Sequence, residues 1–388
     1  MGAPLSKEQD MIRSSAREFA RKELAPKAGE RDRNEEYPAD SLKQMGELGF
    51  LGMLVPEAYD GEGMDTVSYA MALAEIAEGC ASTAVIMSVH CSICCGSLVR
   101  FGSEKQQQKF LHPMARGEII GSFAMSEPDV GSDPASMTTT ATRQGEEYIL
   151  HGTKRWITGG ATSGVFIVLA KTDPDAGHKG ISAFLVTPDA PGFKVGRKEE
   201  KMGLKASDTT DLIFDDCRVP AENLLGHEGG GFKVAMSGLN DGRIGIAAQG
   251  LGVGRAALKL SVQYAKQREQ FGHPLAENQG IRWMIADMAT DVEAAEGLIY
   301  TAAATKDQGK ECSKEASMAK LYATEMANRV AGQAVQIHGG YGYTKEFTVE
   351  RLYRDARVFT IYEGTSQIQK MVIANEVLAD QKKKKGRK

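Results

Sequence analysis

The chain has 388 residues, of which 42% are hydrophobic and 25% are charged, a composition typical of a soluble globular protein with two or three domains. Its net charge of -4 offers no general positive field for nucleic acid. The longest apolar run, at about 165–170, is too short for a membrane span, and the charged N-terminus lacks a secretory signal. We therefore expect an intracellular protein that binds neither nucleic acid nor a membrane.

Residues 1–118 carry apolar residues at helical spacing and predict an N-terminal α-helical domain. The predicted helices are 7–27, 40–49, 66–78, 82–100 and 104–115. Residues 119–228 change to a β pattern and predict a middle domain that is a small barrel or a pair of stacked sheets. The predicted strands are 119–125, 137–143, 148–151, 165–171, 181–187 and 212–214.

Residues 229–388 return to helical spacing and predict a C-terminal α-helical bundle. Two long helices are predicted at 279–306 and 314–337, and the pattern indicates a four-helix bundle. The basic end, 382–388, is predicted to be a disordered tail. The predicted fold class is therefore α+β, with the β domain between two helical ones.

Six cysteines in 388 residues do not make a disulfide framework, which agrees with a reducing compartment. His90, Cys91, Cys94 and Cys95 fall together and look like a metal or redox cluster. However, no second paired set follows, and the run 83–99 around them is typical of a buried helix. We predict that these cysteines pack as small hydrophobic residues and that the chain holds no metal.

A carboxylate near the C-terminus, Glu363, stands where a catalytic base could lie. It follows an apolar pair and precedes Gly364, at the entrance of a helix with a predicted capping box of Ser366 and Gln369. Apolar neighbours raise the pKa of a carboxylate, and a pKa near neutrality suits a base. The alternative is an acidic residue that only interacts favourably with the helix dipole.

Two motifs in the β region have both a structural and a functional interpretation. Residues 123–133, FAMSEPDVGSD, follow a strand and could present N–H groups and hydroxyls to a phosphate or a ring edge, or form a plain polar loop. Residues 156–160, WITGG, end a β segment and could be core plus turn or a ligand contact.

The C-terminal region holds further segments of this kind. Arg243, in the run LNDGRIGIAA, could bind an anion or lie on the surface. Residues 268–272 and 277–279 fit turns, and residues 336–340, QIHGG, fit a helix that ends at glycine. The GVG of 252–254 lies in a helical run with no strand before it, which favours close helix packing and disfavours a Rossmann NAD enzyme.

In this order, the motifs resemble those of the acyl-CoA dehydrogenase family, from about residue 5 to residue 380. Residues 362–369, YEGTSQIQ, are similar to the catalytic signature, and 123–133 to the flavin-binding motif. Residues 156–158 are similar to the segment that lies against the isoalloxazine ring. GRIGIA, from Gly242, is particularly similar to short-chain, butyryl-CoA-type members, whereas isovaleryl- and long-chain-type members carry their base at the position of Gly242.

The resemblance implies a role for each motif. Glu363 would be the catalytic base, and Ser132, Asn240, Arg243 and Gly364 would contact the acyl-CoA substrate. The implied FAD contacts are Phe123, Met125, Ser126, Ser132, Trp156, Ile157, Thr158, Arg268, Asn278, Gln279, Gln336, Gly339, Gly340, Thr365 and Gln367. Positions 268, 278 and 279 would reach the FAD of a neighbouring subunit, in a homotetramer built as a dimer of dimers.

The implied reaction is the α,β-dehydrogenation of a short-chain, butyryl-like acyl-CoA to the trans-2-enoyl-CoA. The α-hydrogen of a thioester is weakly acidic, so its removal needs a base and donors aimed at the carbonyl oxygen. The resemblance implies that the backbone N–H of Glu363 and a ribityl hydroxyl are those donors, that hydride passes to flavin N5, and that electron-transfer flavoprotein reoxidises the FAD.

The motifs leave the acyl group and the reaction class open. The helix at 85–96 is expected to form the base of the acyl pocket. Its cysteines differ from the residues that relatives carry at these positions, so a branched or cyclic acyl group is an alternative to the short straight chain. The chain could also be an acyl-CoA oxidase, or a catalytically inert protein that binds flavin and acyl-CoA. The implied setting is fatty-acid β-oxidation in a bacterial cytoplasm, or in the mitochondrial matrix if a transit peptide has been removed.

Overall fold

The computed structural model describes residues 5–385, and it describes side chains for residues 5–379. The N-terminal part is helical, as predicted. Its helices are α1 (Lys7–Phe19), α2 (Ala25–Asn34), α3 (Ala39–Glu47), α4 (Thr66–Gly79), α5 (Ala81–Ser88), α6 (Gly96–Phe101) and α7 (Glu104–Ala115). A π-helical turn, Ala20–Leu24, joins α1 to α2, so the first helix passes Pro26 and ends later than predicted.

The predicted buried helix at 82–100 is confirmed, and it contains a π-helical segment, Val89–Cys95, between α5 and α6. Cys91, Cys94 and Cys95 are buried free thiols, and the described residues include no group of three or more metal-ligating side chains. His90 accepts a hydrogen bond from the backbone N–H of Gly121 at 3.0 Å.

The same helix corrects the prediction of the longest apolar run. Ala81–Phe101 has the length and composition to cross a membrane, and 89% of its most apolar window is buried inside the protein. Serine, threonine and histidine residues interrupt the apolar residues of this helix, so these form no long continuous run in the sequence. Such burial is typical of a core helix.

The middle part is one eight-stranded sheet. Its strands are β1 (Gly121–Ala124), β2 (Thr140–Gln144), β3 (Glu147–Thr158), β4 (Val165–Lys171), β5 (Ile181–Val186), β6 (Phe193–Lys198), β7 (Thr209–Pro220) and β8 (Leu224–Leu225). The order of the strands in the sheet is β6-β7-β3-β2-β4-β5-β8, and β1 pairs in parallel with β4. The sequence prediction missed β6, because FKVGRK is largely polar and exposed. One face of β4 and β5 packs on the helical core, and the other faces a separate core of the sheet.

The C-terminal part is a bundle in which α10 contacts the other long helices. Its elements are α8 (Gly231–Gln267), β9 (Glu269–Gln270), β10 (His273–Pro274), α9 (Gln279–Asp307), α10 (Ser313–His338), α11 (Thr348–Ala356) and α12 (Ser366–Lys385). The predicted disordered tail is helical as far as Lys385, and residues 386–388 lie outside the described residues.

The predicted close packing at the GVG segment is confirmed. A Cβ at Gly252 would collide with the carbonyl oxygen of Ala74 on α4, and a Cβ at Gly254 would lie 2.6 Å from Sδ of Met326 on α10. These glycines therefore let α8 approach α4 and α10, and the segment is not a dinucleotide-binding loop.

Candidate functional site

Glu363 lies in a turn between α11 and α12 whose backbone is left-handed at two successive residues. The φ angle is 51° at Glu363 and 92° at Gly364. A non-glycine residue adopts this conformation only when its surroundings stabilise it. Here Nε2 of Gln369 donates to the carbonyl oxygens of Glu363 (3.3 Å) and Gly364 (3.0 Å), and Nζ of Lys320 donates to Gly364 O at 2.7 Å.

The predicted capping box of α12 is wrong by one residue. Oγ1 of Thr365 accepts from the backbone N–H of Ile368 at 3.3 Å, so Thr365 takes the capping position. Ser366 instead donates to Oε1 of Glu325 at 2.7 Å, and Gln369 turns back to hold the Glu363 turn. Sequence spacing alone did not distinguish the two hydroxyls.

The carboxylate of Glu363 is enclosed without a hydrogen-bond partner. Both of its oxygens are buried, and neither has a partner within the described part of the chain. A Cβ at Gly242 on α8 would collide with Oε2, so only glycine leaves room for the carboxylate there. A buried, unpaired carboxylate costs free energy, which makes it a sign of a ligand-binding or catalytic role.

The electrostatic setting of Glu363 is that of a base at neutral pH. Burial raises its pKa to about 7, against the opposing charges of Lys320 and Arg243. The pKa shift has the direction expected from the apolar neighbours in the sequence.

Arg243 faces this site from α8 and is buried rather than lying on the surface. Its Nη1 donates to Oδ1 of Asn240 at 2.7 Å and to Oγ of Ser317 at 3.4 Å, while its Nε is buried and unpartnered among the described contacts. Burial lowers the pKa of Arg243, and the charge of Glu363 acts in the opposite direction. The predicted substrate residues Asn240 and Arg243 are therefore next to the predicted base.

The two β-domain motifs lie side by side. The backbone N–H of Arg155 donates to Ser126 O at 2.8 Å, and Oγ of Ser122 donates to the carbonyl oxygen of Thr158. Trp156, at the end of this pair, has a left-handed backbone (φ 59°) and exposes 55% of its surface. The predicted flavin residues Phe123 to Ser126 and Trp156 to Thr158 thus share one edge of the sheet.

A buried ion pair between Lys154 and Glu127 lies next to this edge of the sheet. The sequence analysis did not predict it. Nζ of Lys154 donates to Oε1 of Glu127 at 2.8 Å and to Met125 O at 3.1 Å. Glu127 also accepts from the backbone N–H groups of Thr138 (2.6 Å) and Thr139 (2.9 Å). Burial acts to raise the pKa of Glu127, but the charge of Lys154 and these hydrogen bonds lower it to about 2.

The π-helical segment Val89–Cys95 connects the sheet edge with Glu363. A Cβ at Gly121, the first residue of β1, would lie 2.7 Å from Cβ of Cys94. Burial raises the pKa of the Cys94 thiol, and the nearby carboxylate of Glu363 acts in the same direction. The candidate site therefore lies where the N-terminal helices, the sheet and the C-terminal bundle meet.

A second group of predicted residues lines a separate cleft of about 440 Å³. It includes Arg268, Gly339 and Gly340, and its lining contains neither Glu363 nor a residue of the β-domain motifs. Cζ of Arg268 lies over the ring of Tyr341, 5.5 Å from the ring centroid. Asn278 donates to the carbonyl oxygen of Leu275, which also lines the cleft. Two further predicted contacts are exposed: Gln279, the first residue of α9, and Gln336, near the end of α10. Within one chain, the predicted FAD contacts thus form two groups.

Two of the predicted FAD contacts, Ser132 and Gln367, are exposed at the surface. Ser132 is exposed on the loop after β1, and Gln367 is exposed in the first turn of α12. Sequence reasoning also missed Lys320, which is completely buried beside Glu363. A lysine on the helix face shared by Ala316 and Ala323 was the signal that could have identified it.

Comparison with known proteins bears on the whole chain. The N-terminal, middle and C-terminal domain models of the acyl-CoA dehydrogenases match residues 6–118, 122–217 and 229–378. The mitochondrial short-chain specific acyl-CoA dehydrogenase of Rattus norvegicus is 49% identical over 374 residues, which cover 96% of this chain and 91% of that protein.

Solved structures agree with this match. Butyryl-CoA dehydrogenase from Megasphaera elsdenii has a TM-score of 0.95 at 43% identity, covering 97% of this chain and 100% of its own. A chain from a structure of the electron transferring flavoprotein of Acidaminococcus fermentans has a TM-score of 0.96 at 45% identity, with the same coverage. An acyl-CoA dehydrogenase complexed with FAD from Bacillus anthracis has a TM-score of 0.94 at 35% identity, covering 99% of this chain and 69% of its own.

These matches confirm the family that the motifs predicted, and with it the three-part α+β fold, the enzyme class and the FAD cofactor. The chain therefore belongs to the acyl-CoA dehydrogenase family, whose members are FAD-dependent oxidoreductases that act on acyl-CoA thioesters.

Proposed function

We propose that the chain oxidises a short-chain, butyryl-like acyl-CoA to the trans-2-enoyl-CoA, with Glu363 as the base that removes the α-proton. The observation that supports this role is the enclosed, unpaired carboxylate of Glu363, whose pKa burial raises to about 7. The residue at the alternative base position of the family, Gly242, has no side chain. Glu363 is therefore the carboxylate that this chain offers for proton removal.

The residues of the site fit the cofactor. The exposed indole of Trp156 at the sheet edge offers an apolar face to a planar ring, and the neighbouring Ser126 and Thr158 offer hydroxyls. We propose that the motifs at 123–126 and 156–158 hold the flavin end of FAD, and that the Arg268 cleft holds its other end in a neighbouring subunit. FAD, when bound, supplies the acceptor for the hydride that leaves the β-carbon.

The chain's own residues would prepare the substrate for this transfer. The backbone N–H of Glu363 is proposed to donate to the thioester carbonyl oxygen, where negative charge develops as the α-proton leaves. Arg243, which is buried and has an unpartnered Nε, offers positive charge to anionic CoA. The surrounding buried helices exclude water, so these interactions act in a low dielectric.

The preference for a short acyl chain is supported by the relatives named short-chain and butyryl-CoA dehydrogenases. Ile93, in the π-helical segment, also restricts the space beside the base, since its Cδ1 would lie 3.1 Å from a Cβ at Gly242. A dye-linked assay across acyl-CoAs from butyryl to palmitoyl tests the preference. We expect kcat/KM to be highest with butyryl-CoA and at least about 100-fold lower with palmitoyl-CoA. A higher value with a branched or cyclic acyl group would replace the proposed substrate.

The proposed electron acceptor is an electron-transfer flavoprotein. The support for it is that a chain in a solved structure of such a flavoprotein is similar to this chain. The alternative is an acyl-CoA oxidase, which passes electrons to oxygen. Measurement of hydrogen peroxide during turnover separates the two, since stoichiometric peroxide would indicate an oxidase.

We also propose a homotetramer. The hairpin between β9 and β10 carries Phe271, which is 96% exposed with a left-handed backbone, next to the Arg268 cleft. An exposed aromatic residue beside half of a cofactor site suits a contact with another subunit. Light scattering of the FAD-loaded protein checks the mass, and a monomer would contradict the proposal.

The proposed setting is fatty-acid β-oxidation in a bacterial cytoplasm, with the mitochondrial matrix as the alternative because relatives from both sources match. Fractionation of the source cells would test this placement, and recovery with the membranes would contradict it.

The proposed base makes a testable prediction about pH. Glu363 must be ionised to accept a proton, so kcat/KM should rise with pH and level off above the pKa of about 7. A carboxylate with the ordinary pKa of 4.5 would place this rise more than two units lower. A pH series of kcat/KM with butyryl-CoA checks the prediction, and a flat profile above about pH 5.5 would contradict it.

A further inference from the structure

Lys320 is a buried ammonium group that the family comparison and the motif analysis leave without a role. It lies on α10, its side chain has 0% exposure, and Nζ donates to the carbonyl oxygen of Gly364 at 2.7 Å. An ammonium has three N–H donors, so this bond uses one of them. Burying a lysine in this way costs free energy unless charge or hydrogen bonds compensate.

The compensation comes from the Glu363 turn. Burial lowers the pKa of Lys320 to about 8, and the charge of Glu363 acts against this shift. Of the two charges that oppose the raised pKa of Glu363, that of Lys320 has the larger effect. Each group therefore stabilises the charged form of the other, in a region where water does not screen them.

We infer that Lys320 is a positioning residue for the reaction: its ammonium group holds the turn of the base through Gly364 and supplies positive charge against which the Glu363 carboxylate ionises. This inference rests on the proposed role of Glu363 as the base.

The other groups around Glu363 do not replace this charge. The titratable side chains coupled to Glu363 come from α4, the π-helical segment, α8, α10 and the turn itself, and they are Tyr69, Cys94, Arg243, Lys320 and Tyr362. Burial raises the pKa values of the two tyrosines and the cysteine, so these three are neutral at pH 7. Arg243 is cationic and also favours the charged form of Glu363, but its effect is smaller than that of Lys320, and its guanidinium bonds to Asn240 and Ser317.

Two variants separate the charge from the hydrogen bond. Lys320→Gln removes the charge and keeps an N–H donor for Gly364 O, whereas Lys320→Met removes both. Both should fold, because Glu363, whose pKa is about 7, can take up a proton when its countercharge is removed, and Gln369 still donates to Gly364 O. Lys259→Met, at an exposed lysine paired with Glu78, is the matched control for the change in net charge.

We expect both Lys320 variants to move the acid limb of kcat/KM upward by about one pH unit, because an opposite charge at close range lowers a carboxylate pKa by about that amount or more. At pH 7 this shift corresponds to roughly a fivefold loss that is recovered at higher pH. Lys320→Met should in addition lower the kcat of the high-pH plateau, since the turn loses a bond, whereas KM should change little. The Lys259→Met profile should match that of the unchanged protein.

A second measurement does not depend on turnover. The protonated carboxyl of Glu363 can be titrated by infrared difference spectroscopy, with each protein compared with its own Glu363→Gln counterpart. An upward-shifted titration in Lys320→Gln supports the inference. An unchanged titration and an unchanged acid limb in both variants would overturn it, even if stability fell. Substantial turnover by Glu363→Gln itself would instead overturn the proposed base, and so the two failures are distinguishable.

Discussion

Glu363→Gln should lose at least about 100-fold in kcat with butyryl-CoA while the protein remains folded and retains FAD. A positioned general base contributes roughly 10²–10⁴-fold, and the amide of glutamine has almost the same shape but cannot accept the α-proton. The measurement is a dye-linked assay above pH 7, where the base is ionised in the unchanged protein. Glu376→Gln, at an exposed position of α12, makes the same chemical change away from the site and should keep full activity.

The same substitution should also increase stability at alkaline pH, which a loss of folding could not imitate. The folded-state pKa of Glu363 is about 7, above its ordinary 4.5, so the folded state holds this proton more tightly than the unfolded state. The stability that this proton confers is present below pH 4.5 and is lost as pH rises to 7. We expect the unfolding free energy of Glu363→Gln to exceed that of the unchanged protein at pH 8 but not at pH 4. Equal activity of the two proteins would remove Glu363 from the proposed role.

Lys154→Met should lower the free energy of unfolding by about 3–5 kcal/mol, because it leaves the buried carboxylate of Glu127 without its countercharge. Both members of this pair are almost completely buried, at 0% and 2% side-chain exposure. The substitution also removes the bond from Nζ to Met125 O, at the sheet edge that is proposed to hold the flavin. We therefore expect weaker retention of FAD together with the loss of stability, measured by denaturant unfolding and by flavin released on dialysis.

The double variant Lys154→Met with Glu127→Leu provides the sharper comparison. It removes the unpaired charge, so we expect it to recover much of the stability lost in Lys154→Met. Lys194→Met is the exposed counterpart, since Lys194 pairs with Asp215 at 3.0 Å and more than half of each side chain is exposed. Its cost should stay below about 1 kcal/mol. Equal costs for the two single variants would contradict the importance given to the buried pair.

The sequence predicted helices best where local signals and burial agree. The helix at 104–115 is correct to the residue because Ser103 caps it with a reciprocal bond to Gln106. Strands were harder, since β6 is polar and exposed, and β3 extends through Gly152 and the buried Lys154. A charged residue inside a strand reads as a solvent-facing position, and only its pairing with Glu127, on another segment, explains its burial.

The sequence by itself determined the family, the order of the three regions and the candidate carboxylate, because short motifs and hydrophobic periodicity are properties of neighbouring residues. The tertiary structure decided what surrounds that carboxylate. Gly242 on α8 leaves the space, and Lys320 on α10 supplies a charge and holds the turn. Desolvation and charge interaction depend on which distant segments pack together, and so the pKa of Glu363 could not be obtained from the residues beside it in the chain.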